Sequence, residues 1–268
     1  FTKTKRGFKI KAFFKNLNLY SFSRVYSVFS FLLTIYLVIK KRPSFLFFKP
    51  LSAKKLKETT INLGASFIKL AQVLATRADF FSAEYLDELK ELHDQLPCMN
   101  KYEYEKVFNK AFKNNPFLLF ENTPIASASI GQVHVAYLKN GEKVAVKLLR
   151  VGIKKRVKAD IKIINFFNTI FKPLFSHYTK NSIEAVISEF SSMILQEVSL
   201  SHELANLQKF SQTYKDSGIK FPKAFEEFCS DDALVMSYEE GFRFDDKENL
   251  QKENIDFKEI ISKLVDFY

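Results

Sequence analysis

Tryptophan is missing from the 268 residues, and cysteine, methionine, glycine and proline are scarce, at 2, 3, 7 and 7. The two cysteines, Cys98 and Cys229, lie far apart and outside any CxxC spacing, which excludes a disulfide framework and fits a reducing compartment. The four histidines (His93, His134, His177 and His202) show no metal-ligand spacing and are expected to be structural or exposed. No zinc-finger, helix-turn-helix or RNA-binding signature occurs, so nucleic acid is not an expected partner. Acidic residues are absent from the first 57 positions. The apolar run "VYSVFSFLLTIYLVI", Val25 to Ile39, falls short of the roughly 20 residues needed to span a bilayer. It is followed by "KKRPSF" rather than a small-residue cleavage site, which argues against a secretory signal.

A hydrophobic fraction of 47% and a charged fraction of 26% are ordinary for a globular chain, so wholesale disorder is excluded. The formal net charge of +11 points to an anionic partner, and its distribution narrows the choice. Basic clusters bracket the apolar run, Lys3, Lys5, Arg6, Lys9, Lys11 and Lys15 before it and Lys40, Lys41, Arg42, Lys49, Lys54, Lys55 and Lys57 after it, whereas residues 225–256 are acidic. A basic head around an apolar stretch suits an anionic membrane surface. The run itself reads first as an interfacial helix with basic anchors, with a buried helix and a thin span as alternatives.

From Ala53 to Pro97 the apolar period is helical. "LGASFIKLAQVLATR" is apolar almost all round, broken by one polar row of Lys69, Gln72 and Thr76. "SAEYLDELKELHDQL" begins with the N-cap residue Ser82 and is ended by Pro97. Around Phe117 the period shortens. "FLLFEN", "GQVHVAYL", "EKVAVKLL" and "DALVMSY" read as strands, with helices over about 154–171 and 181–213 before the last. The implied class is α+β with a helical front.

Between the first two long strands lies Ala126-x-Ala128-x-x-Gly131-x-Val133, followed by Val144-Ala-Val-Lys147. With glycine for the two alanines this is the phosphate-cradling loop and strand lysine of kinases. Glycines there allow positive φ and bring backbone N–H groups to phosphate oxygens, so methyl groups stiffen the loop and limit that approach. The hydroxyls of Ser127 and Ser129 are expected to replace part of the lost donation. Lys147 needs a carboxylate from a long helix. In "QEVSLSHELANLQKF" the stripe Leu200, Leu204, Leu207 and Phe210 is expected to be buried, with Glu203 inside that arc and Glu197 at its edge. A core-facing glutamate is costly unless paired, and Lys147 is its natural partner.

"FIKLAQVLATR", "ASASIGQVH", "VAVK", "QEVSLSHELANLQKF" and "FPKAFEEFCSDDALVMSYEEG" stand in the order found in the UbiB/AarF-type atypical kinase-like family of ubiquinone-biosynthesis accessory proteins, which the chain resembles over about residues 50–268. The resemblance implies a protein-kinase-like N-lobe, an antiparallel sheet plus a long helix, with an N-terminal helical extension. It implies an alanine-rich loop that alters nucleotide selectivity and suppresses protein phosphorylation. The expected division is 1–50 membrane-proximal, 51–116 helical extension, 117–240 N-lobe and 241–268 the start of a C-lobe that is largely absent. The family's KxGQ motif falls on Lys69-Leu70-Ala71-Gln72, with Ala71 replacing its glycine. Its ExD motif falls on Glu197-Val198-Ser199, with Ser199 replacing its acid. Glu203 matches the partner of Lys147, and Met236 and Tyr238 lie in the stretch matching the adenine-contacting hinge.

The catalytic loop and DFG-type triplet of the family do not occur, so no catalytic residue is assigned, and the chain reads as a fragment or truncated product. The implied cofactors are ATP or ADP with Mg²⁺, whose ligands are expected beyond Tyr268. Implied partners are the nucleotide, lipid or quinone intermediates and quinone-biosynthesis proteins, on the cytoplasmic side of a bacterial membrane. Two rival readings remain: a pseudokinase-like scaffold that binds nucleotide or lipid without chemistry, and a membrane-peripheral structural protein with no nucleotide.

Overall fold

A computed structural model describes residues 22–92, 97–242, 246–253 and 257–267. The basic cluster from Lys3 to Lys15, His93 and the expected helix end before Pro97 lie outside them. In chain order the elements are α1 (Phe22–Ile39), α2 (Ala53–Leu63), α3 (Ala65–Ala75), α4 (Ala83–Lys90), α5 (Lys101–Ala111), β1 (Phe117–Phe120), β2 (Ala126–Ser127), β3 (Gly131–Leu138) and β4 (Lys143–Leu149). Then follow α6 (Ile153–Phe171), α7 (His177–Glu197), α8 (Leu200–Thr213), β5 (Ala233–Ser237), α9 (Lys247–Lys252) and α10 (Phe257–Phe267). They divide into two compact units that interleave along the chain.

Of the described residues, the first unit holds 22–92, 97–98, 127–131 and 150–198. It is helical because apolar side chains recur at three- and four-residue intervals on α1, α2, α3, α6 and α7, so each helix has a face to bury. Phe31, Leu37, Leu56, Phe67, Ile68, Ile163, Ile164, Phe190 and Ile194 are fully buried, each contributing about 1.5–3 kcal/mol of burial. Phe31 and Phe67 meet edge to face at 5.5 Å. Gly64, at φ +87°, ends α2 and starts α3, a backbone bend that a side chain would strain. α1 is long and apolar enough by length and composition to cross a membrane, yet a third of it is buried within the unit. Val28, Phe31, Leu33, Tyr36 and Leu37 face its neighbours α2 and α6, so one face of α1 is core.

The second unit holds 99–126, 132–149 and the described residues from Ser199 onward. Its antiparallel sheet runs β1-β3-β4-β5, with β2 paired to β3. α5 starts with a full capping box, Asn100 accepting from the Glu103 N–H and Glu103 accepting in return from the Asn100 N–H. On one face of the sheet Phe117, Ala136, Leu138, Val144, Val146, Leu148 and Val235 close over Val107 and Phe112. Strand pleating sends alternate residues to the opposite face, where Ala145 and Lys147 stand beside their β5 partners Met236 and Leu234. The expected strands are all present. The helix expected over 181–213 is instead two, because Val198 and Ser199 leave helical geometry between α7 and α8.

Candidate nucleotide site

In the second unit, Lys147 Nζ stands 2.9 Å and 2.7 Å from the two carboxylate oxygens of Glu203. β4 aims the lysine off the core face, and the first turn of α8 supplies the glutamate. The pair is not buried as the sequence suggested. The side chains are 21% and 40% exposed, and of the stripe Leu200, Leu204, Leu207 and Phe210 only Leu200 is buried. The reason is coverage: α8 packs on β5 along part of its length, which leaves the rest of its apolar arc open. A lysine so held is partly accessible, able to donate its third proton to an anion. Met236 lies on the same sheet face, half-buried. Tyr238 carries Lys143 Nζ 3.9 Å above its ring centroid, and the Tyr238 N–H donates to the Lys143 carbonyl at 3.3 Å.

In the first unit, Lys69 on α3 pairs with Glu197 at the end of α7, at 3.3 Å. Gln72, one turn on, donates from Nε2 to the Leu92 carbonyl at 3.2 Å. Thr76, the third member of the row, donates back to the Val73 carbonyl at 2.8 Å. Ser199, in the second unit and expected in place of the motif's second acid, caps the start of α8 with no side-chain hydrogen bond.

The alanine loop has a simple backbone. Among residues 126–131 none has a positive φ, so nothing in its geometry demands glycine at 126 or 128. The Ala128 N–H donates to the Gly131 carbonyl at 2.8 Å, closing a tight turn in which Ala126 and Ala128 are exposed. Of the two serines expected to supply donors, Ser129 is buried, and Ser127 Oγ accepts from Arg150 at 2.9 Å while keeping its own O–H to donate. Arg150 Nε also donates to the Ala128 carbonyl at 3.0 Å, and Nη2 to the Pro97 carbonyl at 2.8 Å. Sequence reasoning missed this clamp, because a lone arginine after a strand carries no signal in its type or spacing.

A second missed feature is legible in retrospect. Gln132 and His134 stand two apart on one face of an otherwise apolar strand, which marks a polar chain inside a core. Met99 N–H donates to Gln132 Oε1 at 2.8 Å, Gln132 Nε2 lies 2.8 Å from His134 Nε2, and His134 Nδ1 lies 2.8 Å from the Glu121 carbonyl. Every partner is satisfied if His134 is neutral with its proton on Nδ1, and burial does push its pKa down. Among the described residues no three His, Cys, Asp or Glu gather as a metal site requires. Cys98 and Cys229 are both free thiols.

Residues 91–268, more than half of the chain, match the model of the ABC1 atypical kinase-like domain. The chain is 34% identical over 217 residues to the "Uncharacterized protein in hydrogenase 1 5'region" of Clostridium pasteurianum, covering 80% of this chain and 41% of that one. It is 31% identical over 222 residues to "Protein ACTIVITY OF BC1 COMPLEX KINASE 7, chloroplastic" of Arabidopsis thaliana, covering 81% and 32%. It is 31% identical over 221 residues to the "Probable protein kinase UbiB" of Shewanella loihica, covering 80% and 40%. Among solved structures, a Mycobacterium tuberculosis complex of Rv3197 with erythromycin aligns at a TM-score of 0.46 and 24% identity, covering 69% of this chain and 48% of that chain. These alignments span about two fifths or less of the curated relatives' length. The chain belongs to the ABC1/UbiB atypical kinase-like family, and its sheet and helices form a mixed α+β fold of the kinase N-lobe type.

Proposed function

We propose that this chain is the nucleotide-binding part of an atypical kinase-like ATPase or small-molecule kinase that supports isoprenoid-quinone metabolism at a membrane surface. The observation that carries the reading is the Lys147–Glu203 pair, which holds a partly exposed ammonium on the sheet face opposite the core. That arrangement suits contact with the α- and β-phosphates of ATP or ADP, since Glu203 fixes the lysine's position without removing all its donors. Met236 on the neighbouring strand and Tyr238 just beyond its end occupy the hinge-matching stretch. Lys69, Gln72, Glu197 and the 126–131 loop are assigned to nucleotide contact through the family motifs they occupy. Mg²⁺, when bound with the nucleotide, neutralises phosphate charge, and its ligands are not assigned here. Thermal-shift titration with Mg-ATP and Mg-ADP tests the reading. Stabilisation should grow with concentration, reaching about 2.7 kcal/mol at a hundredfold excess over Kd, and should vanish in Lys147→Ala. Unchanged stabilisation in that variant refutes the assignment.

A second reading, a nucleotide- or lipid-holding scaffold without chemistry, is favoured by Ser199, which leaves the start of α8 without the carboxylate of the family motif. Nucleotide binding with no phosphate release in the protein carrying an intact C-terminal half would select it.

A further inference from the structure

Between α1 and α2 the chain makes a two-residue hairpin that the sequence did not announce. The Phe45 N–H donates to the Phe48 carbonyl at 2.9 Å, and the Phe48 N–H donates back to the Phe45 carbonyl at 3.0 Å. Its base is stapled to the first unit. Phe48 meets Phe29 edge-on at 5.5 Å, Phe45 meets Tyr36 at 6.2 Å, and the Leu51 N–H donates to Thr34 Oγ1 at 3.1 Å. Its tip is turned out instead: Leu46 is 76% and Phe47 98% exposed. Leu46 adopts φ +54° and Lys41 φ +51°, and among the described residues these are the two non-glycine positions with positive φ. L-residues disfavour that conformation. A rigidly based turn that strains its backbone to present two large apolar side chains to water is costly unless something apolar receives them.

The surroundings say what receives them. Lys41, Arg42 and Lys49 flank the tip and are exposed, and Lys40 lies beside them with Nζ 5.6 Å from the Phe175 ring centroid. Acidic residues are absent from the whole stretch up to Lys57. An apolar tip flanked in the chain by cations complements the acyl boundary and headgroups of an anionic bilayer, whereas a protein groove would not call for so uniform a charge. α1 fits that role less well, because one of its faces is core. We infer that Leu46 and Phe47 insert into an anionic lipid surface while Lys40, Lys41, Arg42 and Lys49 hold its headgroups. This deepens the membrane part of the functional reading and rests on that part alone, not on nucleotide binding.

The missing tryptophan makes the test direct, since Phe47→Trp places at the tip the sole indole of these 268 residues. With vesicles of phosphatidylcholine containing phosphatidylglycerol, its emission should shift to the blue and be quenched by lipids brominated in the acyl chain. Phe22→Trp, at the exposed start of α1, serves as the comparison. Leu46→Ser with Phe47→Ser should weaken vesicle binding at least tenfold while the melting temperature holds, both side chains being exposed. Each of the four cations changed to Gln should weaken binding about fivefold, with the effect fading at high salt. The inference is overturned by a silent Phe47→Trp signal, by a Phe22→Trp signal alone, or by a serine variant that binds within twofold of the parent. A blue shift that needs protein concentration and not vesicles overturns it too, in favour of a second copy of the chain. A chain that takes vesicles but no nucleotide refutes the nucleotide reading and leaves this one standing.

Discussion

Arg150 Nη2 and Ser127 Oγ stand 2.9 Å apart, and through that contact the arginine that follows β4 holds the alanine loop. The same guanidinium reaches the Ala128 and Pro97 carbonyls, so three acceptors converge on one planar fork. Arg150→Ala should cost about 1–2 kcal/mol, the reduced value of charge-assisted bonds in a partly exposed place, and should speed amide exchange at 127–131. Arg150→Lys should rescue little, because a point charge cannot match the fork. Exchange rates at the loop that stay at the parent level would show that the turn holds itself.

The Lys147–Glu203 pair separates stability from binding. Both side chains are partly exposed, so Glu203→Gln should lower folding stability by less than about 1 kcal/mol. Its effect on nucleotide should be larger, about tenfold in affinity, because the lysine loses the group that fixes its direction. Isothermal titration and urea unfolding of the same variant measure the two. A stability loss with unchanged affinity would make the pair a structural staple.

Strands, the strand lysine and the helix carrying its carboxylate were readable because periodicity and residue type state them directly. Glu203 stood out as an acid on an apolar arc, and geometry put it beside Lys147. Its degree of burial was not readable, since the exposure of Phe210 depends on what packs over α8, and a helical wheel holds no such information. The Arg150 clamp and the 45–48 hairpin stayed hidden for a related reason. Both depend on where a backbone turns: "FLFF" contains neither the glycine nor the asparagine that normally marks a turn, and the glycine of "LRVG" does not say which carbonyls Arg150 reaches. Gln132 and His134 were visible as two polar residues in an apolar strand, but their partners, the Met99 N–H and the Glu121 carbonyl, lie 33 and 13 residues away.

His134 gives the second unit an acid-sensitive point. Its ring is buried against Tyr104 and Phe120, in surroundings dry enough to push the Tyr104 hydroxyl up to about 12. Burial lowers the His134 pKa below its ordinary value, so above pH ~6.5 both folded and unfolded chains hold it neutral. As pH falls below that point the unfolded chain takes up the proton first. The stability that His134 contributes is therefore complete above the unfolded pKa and is lost as pH drops from there through the lowered folded value. The slope should reach at most about 1.4 kcal/mol per pH unit. Protonation also turns Nε2 from acceptor to donor against Gln132 Nε2, which sets the direction of the structural change. Urea unfolding from pH 7.5 to 5 should show this slope in the parent and a shallower one in His134→Asn, whatever the variant's absolute stability. Equal slopes would assign the acid sensitivity to carboxylates instead.

The last prediction concerns the anchoring of α1. Asp160 on α6 is fully buried, and Arg24 Nη2 approaches its Oδ1 at 3.3 Å while donating to the Leu63 carbonyl at 2.8 Å. One guanidinium thus meets a buried carboxylate and a carbonyl of the last turn of α2. Arg24→Met keeps the length of the side chain and takes away the charge, leaving the carboxylate in the core without its guanidinium. The expected cost is about 3–5 kcal/mol, larger than for any surface pair in the molecule. Asp160→Asn should cost less, since a neutral amide tolerates burial better than a carboxylate that has lost its guanidinium. Removing both charges in Arg24→Met with Asp160→Leu should recover most of the loss, because the desolvation penalty disappears with the pair. Denaturant unfolding of the parent, Arg24→Met, Asp160→Leu and the double variant forms a cycle, and the single variant Arg24→Met falling by under 1 kcal/mol would show that α1 is held by its apolar face alone.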